Sequence, residues 1–163
     1  MLYCAAIQQL INEHQLLRNE INACFDLTEE IEIAEEKEAI SYFLELYQLL
    51  LSFSKNLTAH SLIEEEGLFP MISAYLGEGD TTIEQMEIEH QKAENFLAMF
   101  FQETEQELDK LDELIAQSLT VYVVQAYDTL MQHFSKEEKQ LFPLGEKILS
   151  DREKEELLLK MGI

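Results

Sequence analysis

The sequence predicts an all-α fold: an up-down-up-down four-helix bundle with a short C-terminal helical extension. Three observations point there. Apolar residues recur with the 3.6-residue helical period through four long segments. Apolar residues make up 47 % of the chain, which holds only 5 Gly, 2 Pro and no Trp, a composition suited to long helices rather than turn-rich strands. The chain also repeats itself. The string from His60 to Pro70 returns as His133 to Pro143, and Glu13-His14-Gln15 returns as Glu89-His90-Gln91. With 163 residues, the chain is expected to form one domain over 1–163 with a core of its own.

The first helix carries an inward stripe of Ile7, Leu10, Ile11, His14, Leu17, Ile21, Cys24, Phe25 and Ile31. No Gly or Pro marks its end, so the first turn is placed only within residues 33–38. The second stripe reads Ile40, Phe43, Leu44, Tyr47, Leu50, Leu57, His60, Glu64 and Leu68. Its helix should stop near Phe69, because the residue before a proline is pushed out of the α region. Gly77 and Gly79 mark the following loop, and Thr81-Thr82-Ile83-Glu84 has the form of a capping box that opens the third helix. There the stripe is Ile83, Met86, His90, Ala93, Leu97, Phe100, Leu108 and Leu111. Asp112 suits the N-cap of the fourth helix, whose stripe is Ile115, Leu119, Tyr122, Ala126, Leu130, His133, Glu137 and Leu141. Antiparallel hairpins bring His14 level with His60 if their turn centres near residue 37, and His90 level with His133 if theirs centres near 111 or 112. Each histidine then lies roughly 32–35 Å along its helix from the turn, so all four reach the same end of the bundle.

A net charge of −22 speaks against nucleic acid or an anionic membrane as partner, since both repel such a surface. The acids are spread along the chain and chiefly make a soluble surface. No apolar run reaches the length of a bilayer span, and no basic-then-apolar leader opens the chain. Cys4 and Cys24 match no metal or redox spacing, and Cys24 falls on the inward face as a small core residue. A cytoplasmic protein is the expectation.

The long repeat preserves its histidine, a Glu-Glu pair and the closing Leu-Phe-Pro. All four histidines of the chain lie in inward stripes, and so do Glu64 and Glu137. In His-x-x-x-Glu the two residues share a helix face with Cβ atoms about 6 Å apart, so both reach one metal or a close pair of metals. Buried carboxylates need a counter-charge, and the inward stripes hold no Lys or Arg. The expected metal ligands are His14, His60, Glu64, His90, His133 and Glu137. Imidazole and carboxylate without thiolate suit iron, with manganese or zinc as chemical alternatives. Six donors exceed what one ion with an open position requires. They suit two Fe ions, each with two His, bridged by Glu64 and Glu137, with roughly one open position per metal. Glu65 and Glu138 point about 100° away from the ligating Glu and are read, with Glu13 and Glu89, as solvated or supporting side chains. Glu94, one turn after His90, is left open between a solvated carboxylate, the favoured reading, and a further ligand, since its i+4 position would allow it to reach metal. The Leu-Phe-Pro pairs are expected to form an apolar plug over the metal end.

Together, His14, His60-x-x-x-Glu64-Glu-x-x-Leu-Phe-Pro, Glu-His90 and His133-x-x-x-Glu137-Glu-x-x-Leu-Phe-Pro resemble the hemerythrin-like (HHE cation-binding) family over nearly the whole chain. The resemblance implies a non-haem di-iron site in a four-helix bundle. Oxygen-carrying hemerythrins have a fifth histidine one turn after the third-helix His, where this chain has Glu94. They also close the fourth-helix motif with Asp after a longer spacing, where this chain has Glu137. The four-His, two-Glu set looks more like the repair-of-iron-centres proteins and the iron-sensing hemerythrin domain of an F-box protein. The former carry a cysteine-bearing N-terminal domain without counterpart in this sequence. The functional expectation is a metal-binding di-iron protein that binds or reacts with O2, NO or peroxide, protecting or repairing iron centres. The alternative is an iron- or oxygen-sensing, or iron-holding, module read by a partner protein.

Overall fold

The four periodic stripes become four long helices in the computed structural model, which describes residues 1–163. In chain order the helices are α1 (Ala5–Ile33), α2 (Glu36–Ile63), α3 (Phe69–Ser73), α4 (Thr82–Glu107), α5 (Glu113–Lys136), α6 (Phe142–Ile148) and α7 (Asp151–Lys160), and there is no strand. α2 runs into α3, and α5 into α6, through two wide turns at Glu64–Leu68 and Glu137–Leu141. In each the ladder shifts to i→i+5: Phe69 N–H donates to the Glu64 carbonyl and Phe142 N–H to the Glu137 carbonyl. Pro70 and Pro143 sit in the first turn of the helix that follows, where a missing N–H costs little. This is why the second helix does not stop near Phe69 as expected: the wide turn accommodates the proline, and Phe69 stays helical at φ −63° and ψ −48°.

Neighbouring helices are antiparallel. Asn56 on α2 donates to Glu20 on α1, while His60, a turn further along α2, meets Glu13, earlier on α1. Gln117, early in α5, donates to the Glu32 carbonyl at the end of α1, and Tyr122 of α5 donates to Glu103 late in α4. Phe43 of α2 packs on Phe100 of α4 with ring centres 5.5 Å apart. The four long helices are thus joined by a fifth element, α7, which packs on α1 and on the first wide turn. It is held by a Ser150–Glu153 capping box and a buried Leu157. Gly67 makes that docking possible, since a Cβ there would fall 2.8 Å from the Leu157 Cδ1.

The core divides in two. One cluster, around Phe43, Leu50, Phe53, Phe100 and Leu119, fills the end with the short hairpin turns. The other, around Ile7, Leu10, Leu68, Phe69, Phe142 and Leu157, fills the opposite end beneath α7. The four histidines and two glutamates occupy the layer between them, His14 lying between Leu10 and Leu17 and His90 between Met86 and Ala93.

Several local expectations are corrected. Leu44 is 47 % exposed, because the buried face of α2 continues from Phe43 through Leu46, Leu50 and Phe53. Leu108 is 52 % exposed, because α4 ends at Glu107 and a tight turn swings the next residue outward. Thr81 makes no side-chain cap; Asp80 accepts from the Thr82 N–H at 2.9 Å instead, while the Thr81 hydroxyl takes Gln85. Asp112 does cap α5, accepting from the Ile115 N–H at 2.8 Å. The first hairpin turns at Ala34 and Glu35, within the expected window but before residue 37. Cys24 is a core residue, and burial pushes its thiol up to about 12. No helix is long and apolar enough to cross a membrane.

Phe100 is fully buried and touches the rings of Phe43, Tyr47 and Phe101. Phe100→Ala should therefore destabilise the metal-free protein by about 3–5 kcal/mol in urea unfolding, while leaving metal stoichiometry unchanged because the residue lies in the far cluster.

Candidate metal centre

Each donor reaches the middle layer by a different helical register. His14 sits mid-way along α1 and His90 in the early part of α4, whereas His60 and His133 occupy the last turns of α2 and α5. Glu64 and Glu137 are the first residues of the two wide turns. All six are buried, with Glu64 and Glu137 fully enclosed. The Nε2 atoms of His14 and His60 lie 3.1 Å apart, and the His60 Nε2 lies 2.6 Å from Glu64 Oε1. The same Glu64 oxygen is 3.8 Å from His90 Nε2. Glu137 faces both pairs: its Oε1 contacts His133 Nε2 and lies 3.8 Å from His90 Nε2, while its Oε2 is 4.0 Å from His14 Nε2. One donor from each of His14, His60, Glu64 and Glu137 falls within 4.8 Å of the others, and the same holds for His90, His133 and Glu137. The structure thus brings together all six residues singled out from the sequence.

The polar atoms in this layer are short of hydrogen bonds. Both oxygens of Glu64, both oxygens of Glu137 and His133 Nε2 are buried without a partner of hydrogen-bonding geometry. The close approaches of His60 to Glu64 and of His133 to Glu137 are therefore contacts without hydrogen-bonding geometry. Leaving a buried carboxylate unsatisfied costs several kcal/mol, on the order of 3–5 for a broken charged pair. Inward-facing imidazole and carboxylate lone pairs, with no Lys or Arg among them, fit a cation.

The outer ring nitrogens explain why the inner ones point inward. His14 Nδ1 meets Glu138 at 2.9 Å, His90 Nδ1 meets Glu65 at 2.9 Å, His60 Nδ1 meets Glu13 at 3.3 Å and His133 Nδ1 meets Glu89 at 3.3 Å. A carboxylate on Nδ1 holds the proton there, which leaves Nε2 as the lone-pair atom and makes the imidazole a better ligand. The four acids left open between solvation and support thus all engage a histidine. The pattern obeys the repeat. Each second Glu of a Glu-Glu pair serves a histidine of the other half, and each Glu of a Glu-His pair serves its hairpin partner.

Electrostatics follow the same geometry. Burial holds the His14 and His90 imidazoles below their ordinary value, favouring the neutral form. Burial also opposes charge on His60, but the Glu64 and Glu13 carboxylates at its two nitrogens outweigh it and hold the imidazole well above its ordinary range. Glu64 is correspondingly held low, the proximity of His60 overcoming its burial. Glu89, bonded by His133 and Lys136, is pulled down to about 2.

Three aromatic rings close the layer. Phe69 stacks near His90 at 5.4 Å and Phe142 near His14 at 5.2 Å, so the Phe of each Leu-Phe-Pro covers a histidine of the other half. Phe134 lies against His14 at 4.4 Å and also touches His60 and His133. The sequence reading missed Phe134 because the repeat has Ser61 in its place. Glu94 is absent from both donor groups and lies outside the layer beside Glu65, half-buried, with burial and Glu65 pushing its carboxyl up.

This is an all-helical protein built around a buried histidine–carboxylate cluster suited to cations. Residues 5–155 match the hemerythrin HHE cation binding domain, and the chain belongs to that family. Among curated proteins none matches the chain.

Two predictions follow from the outer carboxylates. Glu138→Gln and Glu65→Gln should each weaken cation binding about 10–100-fold in a competition titration, without changing the number of sites. Because His60 in the metal-free protein is held above its ordinary value, it carries a proton at neutral pH that a cation must displace. Apparent affinity should then rise about tenfold per pH unit while that proton remains, and calorimetry in buffers of different ionisation heat should register its release.

Proposed function

We propose that the chain, as one domain over residues 1–163, is a non-haem di-iron protein. It binds or reacts with a small ligand such as O2, NO or peroxide, and so protects or repairs iron centres. The observation carrying this reading is the inward set of lone pairs: four imidazole Nε2 atoms, fixed by outer carboxylates, around two glutamates whose oxygens lack donors. His14 and His60 would hold one ion, and His90 and His133 the other. Glu137 would serve both, since its two oxygens face opposite pairs, and Glu64 would be the second shared ligand, its Oε1 standing between His60 and His90. Iron suits these donors, and manganese or zinc would use the same ones. Bound there, a pair of redox-active ions supplies open coordination positions and electrons to a small ligand.

The chain's own residues set the conditions for that chemistry. Glu13, Glu65, Glu89 and Glu138 hold the imidazole tautomers, and Phe69, Phe134 and Phe142 keep the layer dry. A surface groove of about 280 Å³ between α1 and α2, lined by Leu16, Leu17 and Ala59 together with Glu13, Glu20 and Asn56, has His60 in its wall and would bring a small molecule up to the outer face of that imidazole. Glu94 stands where oxygen carriers of the family have their additional imidazole, which supports reaction over reversible storage.

The second reading, an iron- or oxygen-sensing or iron-holding module read by a partner protein, draws support from α7. Leu157 packs on Gly67 in the wide turn that begins with Glu64, so movement of that turn is passed to an outer helix. Metal analysis of anaerobically loaded protein should find two irons per chain, and saturation at one would contradict the di-iron reading. Rapid consumption of O2 or NO by the reduced protein favours chemistry, whereas an inert site whose emptying frees α7 favours sensing.

A further inference from the structure

The repeat is broken at one pair of equivalent positions beside the histidines. One turn after His14 stands Arg18; one turn after His90 stands Glu94. Arg18 Nη1 lies 2.9 Å from Glu138 Oε1 and 2.6 Å from its Oε2, on the carboxylate that His14 Nδ1 meets at 2.9 Å. The guanidinium is only 20 % exposed and sits 5.6 Å from the centre of the Phe134 ring, which itself covers His14. His14 is thus pinned by a line of contacts from the solvent edge to its donor atom. On the other side Glu65 supports His90, yet it is 37 % exposed and pairs with no cation. The neighbour standing where an arginine would be is a second carboxylate, Glu94.

We infer that the Arg18/Glu94 exchange makes the two cation positions unequal: the His14–His60 position fills first, and the His90–His133 position fills second and exchanges more readily. The inference rests on the two-ion reading above. A pinned donor has no side-chain freedom left to lose on binding, whereas Glu65, repelled by Glu94, must be held in place together with His90. The donor groups lean the same way. The shared Glu64 leans toward the first position, its Oε1 lying 2.6 Å from His60 Nε2 but 3.8 Å from His90 Nε2. Three effects oppose this order. His60 must give up its proton to an incoming cation, a cost that falls away as the titration is run at higher pH. Glu94 adds negative charge near His90, but at the solvent edge, where screening weakens it. Lys136 pairs with Glu89 behind His133, but it is 47 % exposed, and such pairs are weak.

Titrating metal-free protein with Zn2+ while following the imidazole 15N resonances tests this directly, since the chain has only 4 histidines. Through the first equivalent, the signals of His14 and His60 should move while those of His90 and His133 stay. The second pair should follow with an affinity about tenfold weaker or more. Arg18→Gln should narrow the gap by weakening the first step, and Glu94→Arg should narrow it by strengthening the second, with circular dichroism confirming that each variant folds. Parallel movement of all four histidines over two equivalents, the reverse order, or a gap unchanged in both variants would overturn the inference. Saturation at one equivalent would instead overturn the two-ion reading, and the order of filling with it.

Discussion

Two carboxylates enclosed in a buried layer, with no hydrogen-bond partner for any of their oxygens, set the terms for everything around them. An apolar interior does not tolerate such groups without a counter-charge. The protein itself offers little: burial keeps His14 and His90 neutral, and His60, drawn between Glu64 and Glu13, is the imidazole raised to hold a proton. The charge on His60 offsets Glu64 in part and leaves Glu137 facing two histidine pairs. The rest of the architecture reads as the means of holding this arrangement. Two apolar clusters seal the layer from both sides, four outer carboxylates orient the rings, and two wide turns open at the residues that supply the glutamates.

The repeat explains how a chain of this size builds such a layer economically. One hairpin supplies a Glu-His and a His-x-x-x-Glu-Glu, and two hairpins complete each other. Glu65 of the first half reaches His90 of the second, and Glu138 of the second reaches His14 of the first. Each half supports only one of its own two histidines, His60 through Glu13 and His133 through Glu89, so the network is complete only when both halves are docked. Where the halves diverge, the consequences are local. Phe134 replaces the small Ser61 and covers three of the histidines, and Arg18 replaces an acid and pins Glu138.

Much of this was legible in the sequence because burial of polar residues is rare and repetition of them rarer. His14, His60, Glu64, His90, His133 and Glu137 stood on inward stripes, and the structure gathers them in one layer. The wide turns were not legible. Pro70 read as a helix stop, and nothing in the single-residue preferences says that an i→i+5 turn just before it lets the rod continue. Leu44 was assigned inward because a strict 3.6 period does not settle which of Phe43, Leu44 and Leu46 lie on the buried face as it drifts along a long helix. The outer carboxylates were visible as repeated acids, but their engagement with Nδ1 depends on cross-helix distances that only docking fixes. Phe134 left no signal because the repeat does not preserve it.

A cation, rather than the protein alone, compensates this layer and holds the bundle's open end together. Hydrogen exchange of metal-loaded and chelated protein measures that most directly. Chelation should strip protection from residues 10–17, 56–70, 86–94 and 130–143, which carry the donors, while helix segments flanking the turns at 34–35 and 108–112 stay protected. Equal protection of the donor segments in both samples would contradict it.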